Sequence, residues 1–98
     1  MAKQARETTP EARKGAGLFL KSRREEVALT QLEIAKAVGF EYPQMVSQVE
    51  VGKARVPPGR YVDYAKVLKM DPKDFCRELL RHYDPEMWKL LYGNAGGC

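Results

Sequence analysis

The chain has 98 residues, 44% hydrophobic and 31% charged, with a formal net charge of +4 and a pI near 9.2. That length holds one domain with a modest core, too small to add an enclosed catalytic cleft, and the composition is that of a globular protein rather than a disordered or membrane one. No apolar run nears the roughly 20 residues that span a bilayer, and the charged start lacks a signal-peptide core, so a cytoplasmic location is expected.

A basic balance fits a nucleic-acid partner but is weak alone, and its distribution says more. Residues 1–28 carry seven Lys/Arg against four Glu, residues 29–58 three against three, and residues 59–98 seven against six. The excess therefore sits at the N-terminus. The two cysteines are unalike: Cys76 falls in a helical pattern and Cys98 in a glycine-rich tail. Neither has a partner at metal-ligand spacing, and no disulfide framework is expected.

Residues 1–8 show no apolar period. They read either as a frayed terminus or, through Lys3 and Arg6, as a basic arm able to enter a minor groove. Thr9-Pro10-Glu11 then predicts a helix start, with Thr as N-cap, Pro at the first position and an acid in the first turn. Ala16, Leu20 and Val27, with Phe19 beside them, form its buried stripe. Gly15 and Gly17 are expected to weaken the first turns, so that order firms near Leu18.

Thr30-Gln31-Leu32-Glu33 fits a capping box and opens a second helix, with Ile34, Ala35 and Val38 inward. Gly39 suits the left-handed position that ends it. Leu32 falls on the outer face. A third helix, about 42–51, starts near Tyr42-Pro43 with Val46 and Val49 inward. Its outward side chains are Gln44, Met45, Ser47 and Gln48. Gln44 and Gln48, four apart, share a face. Glutamine can bond adenine N6 and N7 together, so the pair reads either as a base reader or as an ordinary polar face.

Gly52-Lys53-Ala54-Arg55 ends that helix with two cations and free backbone N–H groups, a reasonable phosphate contact. Tyr61, Val62, Ala65 and Leu68 predict a fourth helix ending near Met70. Asp71-Pro72 starts a fifth, with Phe75, Leu79 and Tyr83 inward. Asp84-Pro85-Glu86 repeats the start and leads into Met87, Trp88, Leu90, Leu91 and Tyr92. That segment is too short to stand alone and too apolar for water, so it packs on its own domain or on a second copy.

Helix, glycine turn, helix and basic loop over Leu29–Arg55 is the order that puts one helix into the major groove of DNA. Arg24, Leu29-Thr30-Gln31, Ala35, Gly39, Ser47, Glu50, Gly52-Lys53 and Pro57 stand at a spacing that is fairly specific. From about Leu18 to Met70 the chain resembles the lambda-repressor-like helix-turn-helix domains of the Cro/repressor type, the XRE family. The resemblance implies an all-α fold: a compact five-helix domain, here with a short extra C-terminal helix. The expected division is a basic arm over 1–8, the DNA-binding domain over 9–83, and a dimer-forming segment with its tail over 84–98.

The resemblance also implies roles. Gln44 and Gln48 fall on base-reading positions, and Met45 and Ser47 of the same helix are expected to read bases with them. Gln31, Lys53 and Arg55 match contacts with the DNA backbone, and Tyr42 is expected to join them. Arg24 and Glu50 match an ion pair tying helix three to helix one. Met87, Trp88 and Leu91 are read as the surface for a second copy or a partner protein. Between Gly39 and Glu50 the chain is one residue longer than the usual pattern, with the extra residue expected in Phe40-Glu41-Tyr42. Glu41 must then point away from phosphate or meet a cytosine N4.

The function expected is a transcriptional regulator, a bacterial or phage repressor that binds a palindromic operator in double-stranded DNA as a homodimer, autoregulatory and associated with the nucleoid. The alternative is an antitoxin or adaptor whose C-terminal apolar segment binds a protein partner. An enzyme is not expected: His82, on a helix beside Arg81, has no cysteine or carboxylate pair placed to work with it. No phosphate-loop or metal motif is present, and no cofactor is expected.

Overall fold

The computed structural model describes residues 9–93. The proposed basic arm and the tail with Cys98 lie outside them. Six helices follow one another: α1 (Pro10–Glu26), α2 (Gln31–Val38), α3 (Gln44–Val51), α4 (Tyr61–Val67), α5 (Pro72–Tyr83) and α6 (Pro85–Tyr92). A 3-10 turn, Pro58–Arg60, leads into α4. The architecture is the expected all-α one, with five helices around the core and α6 laid mainly against α5.

Local chemistry sets the helix starts. Thr9 Oγ1 accepts from the Ala12 N–H, and Thr30 and Glu33 close the capping box in both directions. Asp71 accepts from the Lys73 N–H at 2.7 Å. The first four helices end alike. In each, an N–H reaches back five residues to a carbonyl (Leu29 to Arg24, Phe40 to Ala35, Lys53 to Gln48, Met70 to Ala65). The residue between is left-handed: Ala28, Gly39, Gly52 and Lys69. This is the Schellman closure, which satisfies carbonyls that the helix leaves open. The two non-glycine closures are braced by arginines of α1. Arg24 Nη1 donates to Leu29 O, while Arg23 Nε and Nη2 donate to Leu68 O and Lys69 O.

The core joins Ala16 and Leu20 of α1, Ile34, Ala35 and Val38 of α2, and Val46 and Val49 of α3 to Tyr64, Ala65, Leu68, Phe75, Leu79 and Tyr83. Tyr64 stacks on Phe75 with ring centroids 5.6 Å apart, and Phe40 meets it edge-on. The inward set of α4 differs from the sequence reading in one member. Val62 is exposed and Tyr64 takes the buried place, because Tyr64 shares the helical face of Ala65 and Leu68 and Val62 does not. Burial raises the Tyr64 phenol well above its usual pKa. Tyr83, whose hydroxyl accepts from the Val56 N–H, is pushed up to about 12 chiefly by burial.

Three further expectations need correction. Order in α1 does not wait for Leu18: the helix is regular from Pro10, and Gly17 is buried against α3. A Cβ on Gly17 would lie 2.2 Å from the Glu50 carbonyl oxygen. The residue is needed for the helix crossing and does not loosen the first turns. In α3 the first helical residue is Gln44, and Pro43 is the αR residue before it. Asp84 is the N-cap residue of α6 and its carbonyl accepts from the Trp88 N–H, but its carboxylate makes no capping bond and binds Arg55 instead.

Candidate nucleic-acid interface

The turn between α2 and α3 sets the geometry. Gly39, at φ +86, ends α2, and Phe40 turns inward to the core. Residues 41–43 stay at the surface and Pro43 leads the chain into α3. Val46 and Val49 hold α3 to the core, so the opposite side of a two-turn helix must face out. Gln44 and Gln48 are exposed on it, with Met45 and Ser47 half-buried at its edges. Tyr42 stands in solvent at 57% exposure, and Glu41 is exposed beside it.

The inner end of α3 is tied down by a buried ion pair. Arg24 Nε donates to Glu50 Oε2 at 2.6 Å and Nη2 donates to Glu50 Oε1 at 3.0 Å, a two-point fork. Glu50 is 5% exposed. Its hydrogen bond to Glu50 is the largest influence raising the Arg24 pKa, against the opposing effect of burial. Gln31 joins the pair, donating from Nε2 to Glu50 Oε1 at 2.9 Å. The amide expected at phosphate is therefore held by Glu50 and keeps one N–H of its own. One carboxylate fixes both the support for α3 and the orientation of the first side chain of α2.

The loop after α3 divides its two cations. Lys53 is exposed and has no carboxylate partner within ion-pair distance among the described residues. Arg55 has an internal partner. Its Nη2 donates to Asp84 Oδ2 at 3.0 Å and its guanidinium lies 4.4 Å from the Tyr83 ring centroid. Arg55 thus joins the loop to the start of α6 while its side chain stays partly exposed.

Sequence reasoning missed the close seam between α1 and α3. Besides Gly17 against the Glu50 carbonyl, Gly52 comes up against the backbone of Lys14. A Cβ there would lie 2.9 Å from Lys14 N, at a φ of +89. Arg13 Nε donates to Gly52 O across the same contact. A glycine inside a well-capped helix was the available signal, since such a residue usually has a packing reason.

At the far end, α6 buries no residue fully. Met87 and Leu91 are exposed, and Leu90 more so at 84%. Trp88 is half-buried; its Nε1 is enclosed without a hydrogen-bond partner among the described residues. Tyr92 lies beside Trp88 and under Arg77 of α5.

A capped helix, a left-handed glycine turn and a second short helix with a polar outer face define the class: a DNA-binding helix-turn-helix protein. A family model described as Helix-turn-helix matches residues 20–75, more than half of the chain. The chain belongs to this family, the XRE or lambda-repressor-like group of DNA-binding regulators. A comparison with curated proteins finds no match. No helix among the described residues is long and apolar enough to cross a membrane.

Proposed function

We propose that the protein is a repressor that reads a palindromic operator as a homodimer, with α3 in the major groove. Gln44 and Gln48 read bases, with Met45 and Ser47 against the groove wall. Gln31, Tyr42, Lys53 and Arg55 hold the phosphates on either side. The observation that carries the reading is the outward pair Gln44 and Gln48, on a helix held at its inner end by Arg24 and Glu50. A reading helix must be held rigidly if its side chains are to distinguish bases, and this one is anchored by charge as well as by packing.

The second copy docks on α6 through Met87, Leu90 and Leu91, with Trp88 beneath them. Residues 84–98 thus form the dimer element, residues 9–83 the DNA-binding domain, and residues 1–8 a basic arm. Such a protein acts in the cytoplasm, at the nucleoid, and a small regulator of this kind suits control of its own promoter. The same exposed α6 face also fits an antitoxin or adaptor that binds a different protein there.

Fluorescence anisotropy with the duplex just upstream of the gene, against a random duplex, tests the reading. Specific affinity about 10³-fold or more above random DNA is expected. Gln48→Ala should lower it by ~1–3 kcal/mol at particular base pairs. Equal loss on every sequence would remove Gln48 from base reading.

A further inference from the structure

A cleft of about 280 Å³ lies between α1 and the ends of the two short helices, lined by Lys14, Leu18, Lys21, Gln31, Glu50 and Val51. We propose that this cleft is a second DNA-backbone site, in which Lys14 and Lys21 of α1 bind phosphate groups beside Gln31. The proposal rests on the DNA-reading function above and extends it to a helix outside the helix-turn-helix unit.

Lys14, Leu18 and Lys21 recur at i, i+4 and i+7, so they share one face of α1. All three are exposed, and neither lysine has a carboxylate within ion-pair distance among the described residues. The one acid lining the cleft is Glu50, whose charge is matched by the Arg24 fork. The charge offered to a ligand is therefore that of the two lysines. Between them, Leu18 and Val51 form an apolar floor that suits the sugar carbons of a nucleic-acid backbone, and Gln31 adds its remaining N–H.

Position selects the occupant. Val51 is the last residue of α3, the helix that carries Gln44 and Gln48, so a ligand in the cleft continues from the one α3 engages. The lysines cannot drift away from α3 as a loop would. Gly17 and Gly52 set α1 at backbone contact with its C-terminal end. Two helical turns separate the lysines along α1, about 10 Å. One DNA strand presents a charge about every 3.4 Å of axis, so more than one phosphate falls within that span.

The salt dependence of affinity tests this with the full chain, on a random duplex and on the upstream duplex. Removing two phosphate contacts with Lys14→Ala/Lys21→Ala should flatten the slope of log affinity against log salt by about 1.8. Between 50 and 200 mM salt, that shrinks the loss of binding by about twelvefold. Lys14→Arg/Lys21→Arg should keep the native slope. Lys66→Ala/Lys73→Ala removes the same charge from exposed lysines outside the cleft and should leave the slope unchanged. A native slope in the cleft variant, or an equal change in the control, would overturn the proposal while leaving DNA binding intact. If the native protein binds neither duplex, the functional reading falls and this site with it.

Discussion

The seam between α1 and α3 and the joint between α5 and α6 are both helix contacts, but they are built in opposite ways. At the seam, glycines let backbones touch and a buried two-point ion pair locks the crossing. At the joint, α6 buries nothing fully, and its link to the loop is the partly exposed Arg55–Asp84 pair. An exposed pair adds little stability, while a buried one is costly to break by halves. The difference separates a contact that fixes α3 from one that leaves the outer face of α6 exposed.

The seam can be broken most severely at its charge. Arg24→Ala leaves Glu50 buried without its cation and should cost ~3–5 kcal/mol in denaturant unfolding. A loss near zero would mean that Gln31 and water suffice for the carboxylate. Gly17→Ala attacks the same seam sterically. Its methyl group meets the backbone of Glu50, which cannot rotate away, and the expected cost is roughly 3 kcal/mol. An alanine variant as stable as the native chain would show that the helices separate freely.

The joint should respond differently. Leu90→Glu places a charge on an already exposed position, so the folded protomer should change by no more than about 0.5 kcal/mol. If the second copy docks on α6 as proposed, the variant should nevertheless sediment as a monomer at concentrations where the native chain sediments as a dimer. Equal sedimentation of both proteins would move the second copy off α6.

The smallest effect expected is at His82, whose ring lies against Gly15 of α1. Burial, then Arg81, lowers its pKa below the usual value of 6.5. The folded protein thus disfavours the proton that the unfolded chain accepts. Its contribution is complete above about pH 6.5 and is lost as pH falls toward the lowered folded value. Unfolding of His82→Gln from pH 8 to 5 should be the less pH-dependent of the two. Parallel curves would mean that the ring is as hydrated in the fold as in the unfolded chain.

Most helix starts were readable along the chain. Thr9-Pro10, Thr30 with Glu33, and Asp71-Pro72 each act through hydrogen bonds spanning two or three residues, so no distant contact can redirect them. Asp84-Pro85 carried the same signal, but an arginine 29 residues away took the carboxylate. The inward positions of α2 and α3 were equally legible, because helical period alone separates Val46 and Val49 from Gln44 and Gln48. Arg24 and Glu50 were matched through the family pattern; their separation of 26 residues gives no local signal of a fork.

Sequence by itself therefore determined the all-α order, the caps, the turn at Gly39 and the polar outer face of α3. Tertiary structure alone decided which backbones Gly17 and Gly52 meet, that Arg55 pairs with Asp84, and that Lys14 and Lys21 share a cleft with Gln31. The physical reason is range. Caps and periodicity act within a turn or two, whereas partners and clefts exist only once the crossing of several helices has fixed which faces meet.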